Sequence, residues 1–411
     1  METKKKTLAV VTGTRAEYGL LRPVIRRLTQ RDNLNVALLV TGAHLAPEYG
    51  STVKEIEADG VPIAARIPIL TGETGPLATA HAVCRALEGF AAWFERNRPD
   101  GVLVLGDRYE IFAAAQAAAM QRVPVAHISG GDVTLGAADE YYRHCITKIA
   151  ALHFPSCDEY AARVIRMGEA PETVYQLGGL GDENLRTLPT LSRAQLLENL
   201  GLTAWGEQPF ALVTFHPETA GGADPMAQMQ ALLAAMDRTE GLHWLITKSN
   251  ADAGGQAINA LWDEWAAARP DKAAAFTSLG VVRYVSALRA CALVAGNSSS
   301  GVVETPTFGV PTVNIGQRQA GRIVCENVLC CPAEEDAIAG ALAAARSPEF
   351  AAKARTARSP YNGGATSLRM ARVLEAWLNS PTLGAPKSFY DGPVPEHWKN
   401  PAEPAEEQEE A

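Results

Sequence analysis

Nowhere in its 411 residues does this chain carry an apolar run approaching the roughly 18 residues that a membrane-spanning helix requires. The charged start, Met1 to Lys6, is followed only by the apolar run Leu8 to Val11, too brief for the core of a signal peptide. No membrane partner and a cytoplasmic location are therefore expected. Basic charge is scarce as well: 37 Lys and Arg against 46 Asp and Glu leave a net charge of -9, which gives nucleic acid no electrostatic footing. The seven cysteines (Cys84, Cys145, Cys157, Cys291, Cys325, Cys330 and Cys331) show neither C-x-x-C nor zinc-ligand spacing. Neither a disulfide framework nor a metal site is expected, and most of them should be buried small apolar residues. Aromatic residues are slightly sparse at 7%, but 47% hydrophobic and 20% charged residues describe an ordinary globular chain, long enough for two domains with a core each.

What is present is an alternation of short apolar runs with helical patterns, each run ending on polar residues. Val102 to Leu105 stops at Gly106-Asp107-Arg108, an Ala-rich helix follows, and Val123 to Ile128 stops at Ser129-Gly130-Gly131-Asp132. In an open parallel sheet, ligands collect beyond the carboxyl ends of the strands. Asp107, Arg108, Asp132, Asp139, Glu140, Arg143 and His144 are thereby expected to face one crevice, with both signs of charge suited to an anionic substrate. His127, inside an apolar strand, is expected in the core.

The same pattern runs through the rest of the chain. Leu8 to Val11 breaks at Thr12 to Gly19, which includes Arg15 and Glu17, before a helix from Leu20 to Leu28, and such a turn is a natural anion cradle. It lacks both a G-x-G-x-x-G and a Walker lysine. Asn35 to Thr41 brings His44 to the same edge, the helix Ala78 to Arg96 packs Cys84, Leu87, Phe90 and Phe94 inward, and Ala151 to Phe154 and Val174 to Leu177 read as further strands. A capping box, Ser192 with Gln195, opens a helix ending near Gly201. A second alternation then places His216 after Phe210 to Phe215, Asn250 after Trp244 to Thr247, and Gly296-Asn297-Ser298-Ser299-Ser300-Gly301 after Leu293 to Ala295. Small hydroxyl residues at a strand-to-helix turn suit a diphosphate, and Glu304 is spaced to accept from ribose hydroxyls. Arg318 follows the strand Pro311 to Ile315. The fold class is α/β with two Rossmann-like domains and a ligand in the cleft between them.

The series GTRAEYG, GDRYE, HISGGD, RHCITK, FHPET, SNADAGG, GNSSSGVVE and GQRQAGR resembles the hydrolysing UDP-N-acetylglucosamine 2-epimerases of bacterial sialic-acid synthesis, in order from about Thr7 to Trp377. The resemblance implies a fold of the glycosyltransferase-B type, a UDP-sugar substrate, no cofactor and a homo-oligomer, dimer or tetramer. It implies elimination of UDP and the C2 proton to leave 2-acetamidoglucal, then hydration to N-acetylmannosamine. By motif matching, Asp107 and Asp139 are the sugar-side carboxylates. Arg15, Ser298, Ser299, Glu304 and Arg318 fall on UDP-contacting positions, His216 lies near the diphosphate, and Arg108 and Asn250 support it.

One departure stands out. The family commonly carries Glu or His before the Gly-Gly pair, where this chain has Ser129. A serine is neither a useful acid nor a useful base near neutral pH, so Asp132 or water takes that role, or the substrate differs. The alternatives are the same reaction on UDP-2,4-diacetamido-2,4,6-trideoxyglucose, a glycosyltransferase, or a UDP-sugar-binding regulator without turnover. The expected division is 1–190 for a first domain with the sugar-side residues, 191–365 for a UDP-binding domain, 366–400 for a helix and segment crossing back, and 401–411 for a disordered acidic tail.

Overall fold

Successive residues of the first strand enter different cores: Leu8 and Val10 join one apolar cluster, Ala9 and Val11 another. A strand buried on both faces reads as a continuous apolar run, the signature of a parallel sheet covered by helices on both sides. The structure, a computed structural model, describes residues 5–47, 50–73, 76–134, 139–218, 224–249, 255–395, 400, 401 and 403. Asn250 therefore lies outside the described residues, as does most of the acidic tail.

The chain divides into two units. The first comprises Met1–Asp132, Ala138–Asn184 and Gly363–Ala411, the second Val133–Ala137 and Leu185–Asn362. In the first, β1 (Lys6–Thr12), β2 (Leu34–Thr41), β3 (Ile63–Ile67), β4 (Gly101–Leu105), β5 (Val125–Ile128) and β6 (Leu152–Phe154) form a parallel sheet in the order β3-β2-β1-β4-β5-β6. In the second, β7 (Phe210–Thr214), β8 (His243–Thr247), β9 (Ala273–Phe276), β10 (Leu293–Gly296), β11 (Thr312–Ile315) and β12 (Val328–Cys331) run in the order β12-β11-β10-β7-β8-β9, also all parallel. Read from its far edge, the second sheet repeats the doubly wound order of the first. The strand order reverses between β1 and β4 in one unit and between β7 and β10 in the other, and such switch points are where open α/β sheets bind ligands.

Several expectations change. The first helix spans Arg15–Thr29 rather than starting at Leu20, because Thr14 and Glu17 form a complete capping box that starts it five residues earlier. Val174 to Leu177 is not a strand: Val174 makes only an isolated bridge to His153, whose carbonyl takes the Tyr175 N–H at 2.9 Å, and Gln176 N–H already donates to the Asn400 side chain at 2.6 Å. The helix Pro76–Asn97 buries Ala82, Ala86, Phe90, Trp93 and Phe94, so Cys84 lies on its exposed side. Of the seven free cysteines only Cys157 is buried. The Ser192–Gln195 capping box is present, and its helix ends on Gly201 in the left-handed conformation.

The helix Thr366–Leu378 packs Met370, Val373, Leu374 and Leu378 into the cluster that holds Leu21, Val24, Ile25 and Leu28 of the first helix. Beyond it, Lys387 donates to the Lys148 and Ala150 carbonyls at 2.8 and 2.7 Å, capping the helix Asp139–Ile149, and Glu403 pairs with Arg369. No helix among the described residues is long and apolar enough to cross a membrane.

Candidate active site

In the first unit, three loops at the carboxyl ends of β1, β4 and β5 carry the charged residues. Arg143, only 2% exposed, binds the Asp107 carboxylate and reaches the Asp132 carbonyl at 2.8 Å and the Glu140 carboxylate at 2.6 Å. One buried guanidinium thereby ties the loop after β4 to the loop after β5 and to the helix that follows. A buried charge is tolerated only when paired in this way, and Asp107 beside it holds the arginine firmly protonated against the cost of burial. Asp139, half-buried at the start of the helix Asp139–Ile149, is pushed up to about 6 by burial and by the neighbouring Asp107 charge. His144 meets Glu140 at 3.1 Å. Asp132 accepts from Ser156 at 3.4 Å.

Beneath these residues the turns are held by a buried imidazole and by left-handed backbone conformations. His127 is fully buried in β5 with Nε2 2.8 Å from the Gly106 carbonyl. A carbonyl only accepts, so Nε2 carries the proton. Burial drives the ring down to about 3, keeping it neutral. Ser129 adopts φ 65°, a left-handed conformation unusual outside glycine, asparagine and aspartate, and donates its N–H to Phe154 O at 3.0 Å. At Gly131, with φ 84°, a Cβ would stand 2.5 Å from the Tyr160 carbonyl oxygen.

The β1 turn departs further from an open anion cradle. Glu17, 6% exposed, folds back to accept from the Gly13 and Thr14 amides at 2.7 and 3.2 Å. Glu110 is fully buried beside it and takes the Arg108 Nε–H at 2.6 Å, with Gly13 packed so closely that a Cβ would lie 2.7 Å from the Glu110 oxygen. Burial first, then the Glu110 charge, pushes Glu17 up to about 8. His44, 1% exposed, bridges Thr12 at 3.1 Å and Thr52 at 2.8 Å, and burial lowers it to about 4. Arg15 is half-exposed and pairs with Glu55 at 2.9 Å. The structure thus brings together Asp107, Asp132, Asp139 and Arg143, with Arg108 anchored on Glu110, while Glu17 and His44 sit below the turn.

In the second unit, β7 and β10 supply the facing turns. At Gly296, with φ 129°, a Cβ would stand 1.9 Å from Thr214 O, so only glycine lets β10 leave the sheet here. The Asn297 side chain accepts from the His216 amide at 2.7 Å and donates to the His216 carbonyl at 2.8 Å, locking the two turns together. His216 Nδ1 lies 3.1 Å from Ser249 Oγ. Arg318 and Gln319 both donate to Asn297 O, at 3.2 and 2.9 Å. Ser298 and Ser299 open the short helix Ser300–Val303, and Glu304 follows it. Ser300 donates to Glu304 at 2.6 Å and receives Tyr284 Oη–H at 2.6 Å, and burial raises the Glu304 carboxyl. Glu110 and Tyr284 were not singled out in the sequence, and Asn297 stood there only as part of the polar turn after Leu293 to Ala295. Asn297 alone carried a signal, as the first polar residue after an apolar run.

The profile of the family described as UDP-N-acetylglucosamine 2-epimerase matches residues 26–375. The chain is 34% identical to the polysialic acid biosynthesis protein P7 of Escherichia coli, over 94% of this chain and 98% of that one. It is also 34% identical to the GDP/UDP-N,N'-diacetylbacillosamine 2-epimerase (hydrolyzing) of Campylobacter jejuni, over 79% and 84%. A crystal structure of UDP-GlcNAc 2-epimerase from Neisseria meningitidis bound to UDP-GlcNAc shares the two-domain fold, with a TM-score of 0.72 at 18% identity over 91% of this chain and all of that one. With the family profile running from residue 26 to residue 375 and a doubly wound sheet in each unit, the chain belongs to the UDP-N-acetylglucosamine 2-epimerase family.

Proposed function

We infer that this protein is a hydrolysing UDP-N-acetylglucosamine 2-epimerase, releasing UDP and N-acetylmannosamine. The observation that carries the reading is the pair Asp107 and Asp139: one is bound to a buried arginine, and the other is raised to about 6 by burial and by the first. A carboxylate in that range is a stronger base than a solvated one and is still mostly ionised at neutral pH, which suits removal of the weakly acidic C2 proton. UDP leaves C1 with the bonding electrons, the C2 proton passes to Asp139, and the glucal remains. Water then adds its oxygen to C1, and a proton is delivered to C2 on the opposite face. Ser298, Ser299, Glu304 and Arg318 hold UDP on this reading, with His216 near the diphosphate. The name of the Campylobacter jejuni relative supports a second substrate, the UDP-2,4-diacetamido-2,4,6-trideoxy sugar. Incubation with each UDP-sugar in deuterated water separates the readings. Free 2-epimerised sugar with deuterium at C2 identifies the substrate, whereas retention of the original C2 proton, or no free sugar from either, rejects the elimination route.

A further inference from the structure

We propose that the second unit carries a separate anion site for a phosphorylated small molecule, in a concavity of about 560 Å³ beside Phe308 and Gly309. Phe308 ends the short helix that precedes β11, so this concavity lies at the amino end of that strand, away from the carboxyl-end turns that carry Ser298 and His216. Three guanidinium groups line it, Arg186, Arg355 and Arg358, and no carboxylate does. Neither Arg355 nor Arg358 pairs with a carboxylate among the described residues, in a chain whose net charge is -9. Acidic residues outnumber basic ones overall, so three cations gathered around one hollow, two of them unneutralised, mark a place where an anion is taken up.

The walls are fixed by packing. Gly309, at φ 64°, lets its backbone press against the helix Pro348–Thr356, where a Cβ would stand 2.8 Å from Arg355 Cα. Arg289 lies 4.9 Å above the Phe308 ring and holds that side of the hollow. Thr307, Ser359 and Asn362 add hydroxyl and amide groups beside the arginines. Guanidinium forks match phosphate oxygens, while hydroxyls and an amide match the hydroxyls of a sugar, and the volume falls within the range of small-ligand pockets. Arg186 and Asn362 both belong to the second unit, like the other residues that line the hollow.

The test uses glucose 6-phosphate as the probe, titrated calorimetrically into the full chain at low ionic strength with UDP in excess, and glucose as the uncharged control. Binding of glucose 6-phosphate but not glucose is expected, weakened about tenfold or more by the double substitution Arg355→Gln with Arg358→Gln while UDP affinity stays unchanged. In the unmodified protein, glucose 6-phosphate should protect Arg355 and Arg358 from phenylglyoxal, read by peptide mass spectrometry, so the result does not depend on how the variant folds. No binding, equal binding by the variant, or equal labelling with and without probe overturns the site. Retention of anionic lipid vesicles through these arginines without binding of glucose 6-phosphate also overturns it.

Discussion

Asp139 concentrates the chemistry in one side chain. If it takes the C2 proton, kcat/KM for the UDP-sugar should climb as pH rises through about 6, the value to which burial and Asp107 push the carboxyl. Asp139→Asn should then lose on the order of 100-fold to 10,000-fold in turnover while UDP still binds. A flat profile between pH 5 and 7 excludes Asp139 as the base. Glu17 makes a different prediction, about stability. Its folded value, about 8, lies above the ordinary 4.5, so the folded state binds more protons than the unfolded state between those limits. Its contribution is whole below about 4.5 and is lost as pH rises through about 8. Glu17→Gln keeps both arms of the capping box and removes the titration. The variant should melt a few degrees above the wild type at pH 8, with the gap closing at pH 5, and a constant gap argues against a protonated Glu17. Asp107 and Asp132 stood out because polar residues closed apolar runs, whereas Asp139 was singled out as a carboxylate by the family resemblance. Glu110 was not, since a glutamate in the first turn of a helix ordinarily faces water, and only the fold shows it at 0% exposure beneath Gly13.

At the level of strands and turns, both units use the same device: a switch point in the sheet, with a glycine letting the chain leave the strand where two loops must meet. Gly296 is its tightest case, and Gly296→Ala combines a disfavoured φ of 129° with a Cβ 1.9 Å from Thr214 O. Strain of about 1–3 kcal/mol for the backbone alone is expected, and Asn297, His216 and Arg318 shift with the turn. The variant should lower the melting temperature and weaken UDP binding together, by calorimetry. A stable variant with normal UDP affinity would show that the turn is not needed for the nucleotide. The strand ends were readable because apolar runs end where a covered sheet ends. The start of the first helix was not: Gly13 and Gly19 made GTRAEYG look like one long turn. The structure has open space around Gly19, which is simply a helical residue, while Gly13 alone is crowded.

For the molecule as a whole, the division into units makes the end of the chain part of its beginning. The helix Thr366–Leu378 supplies Met370, Val373, Leu374 and Leu378 to the core that Leu21, Val24, Ile25 and Leu28 share. Four large apolar side chains at about 1.5–3 kcal/mol each amount to roughly 6–12 kcal/mol, as much as the entire stability of many domains. A helix and segment crossing back were expected over 366–400 from the fold of the resembling family, not from any apolar spacing. No local pattern encodes Lys387 capping the helix Asp139–Ile149, a contact 237 residues apart in the chain, from Lys387 to Ala150. A fragment ending at Asn184 should therefore lack a cooperative thermal transition, and adding 363–411 as a second chain should restore one. Residues 185–362 should fold alone, because their sheet and both of its apolar clusters are internal, and should bind UDP through Ser298, Ser299, Glu304 and Arg318. Circular dichroism melts and UDP titrations on the three fragments decide it. Cooperative melting of 1–184 alone overturns the shared core, and a folded 185–362 that ignores UDP moves the nucleotide site out of the second unit.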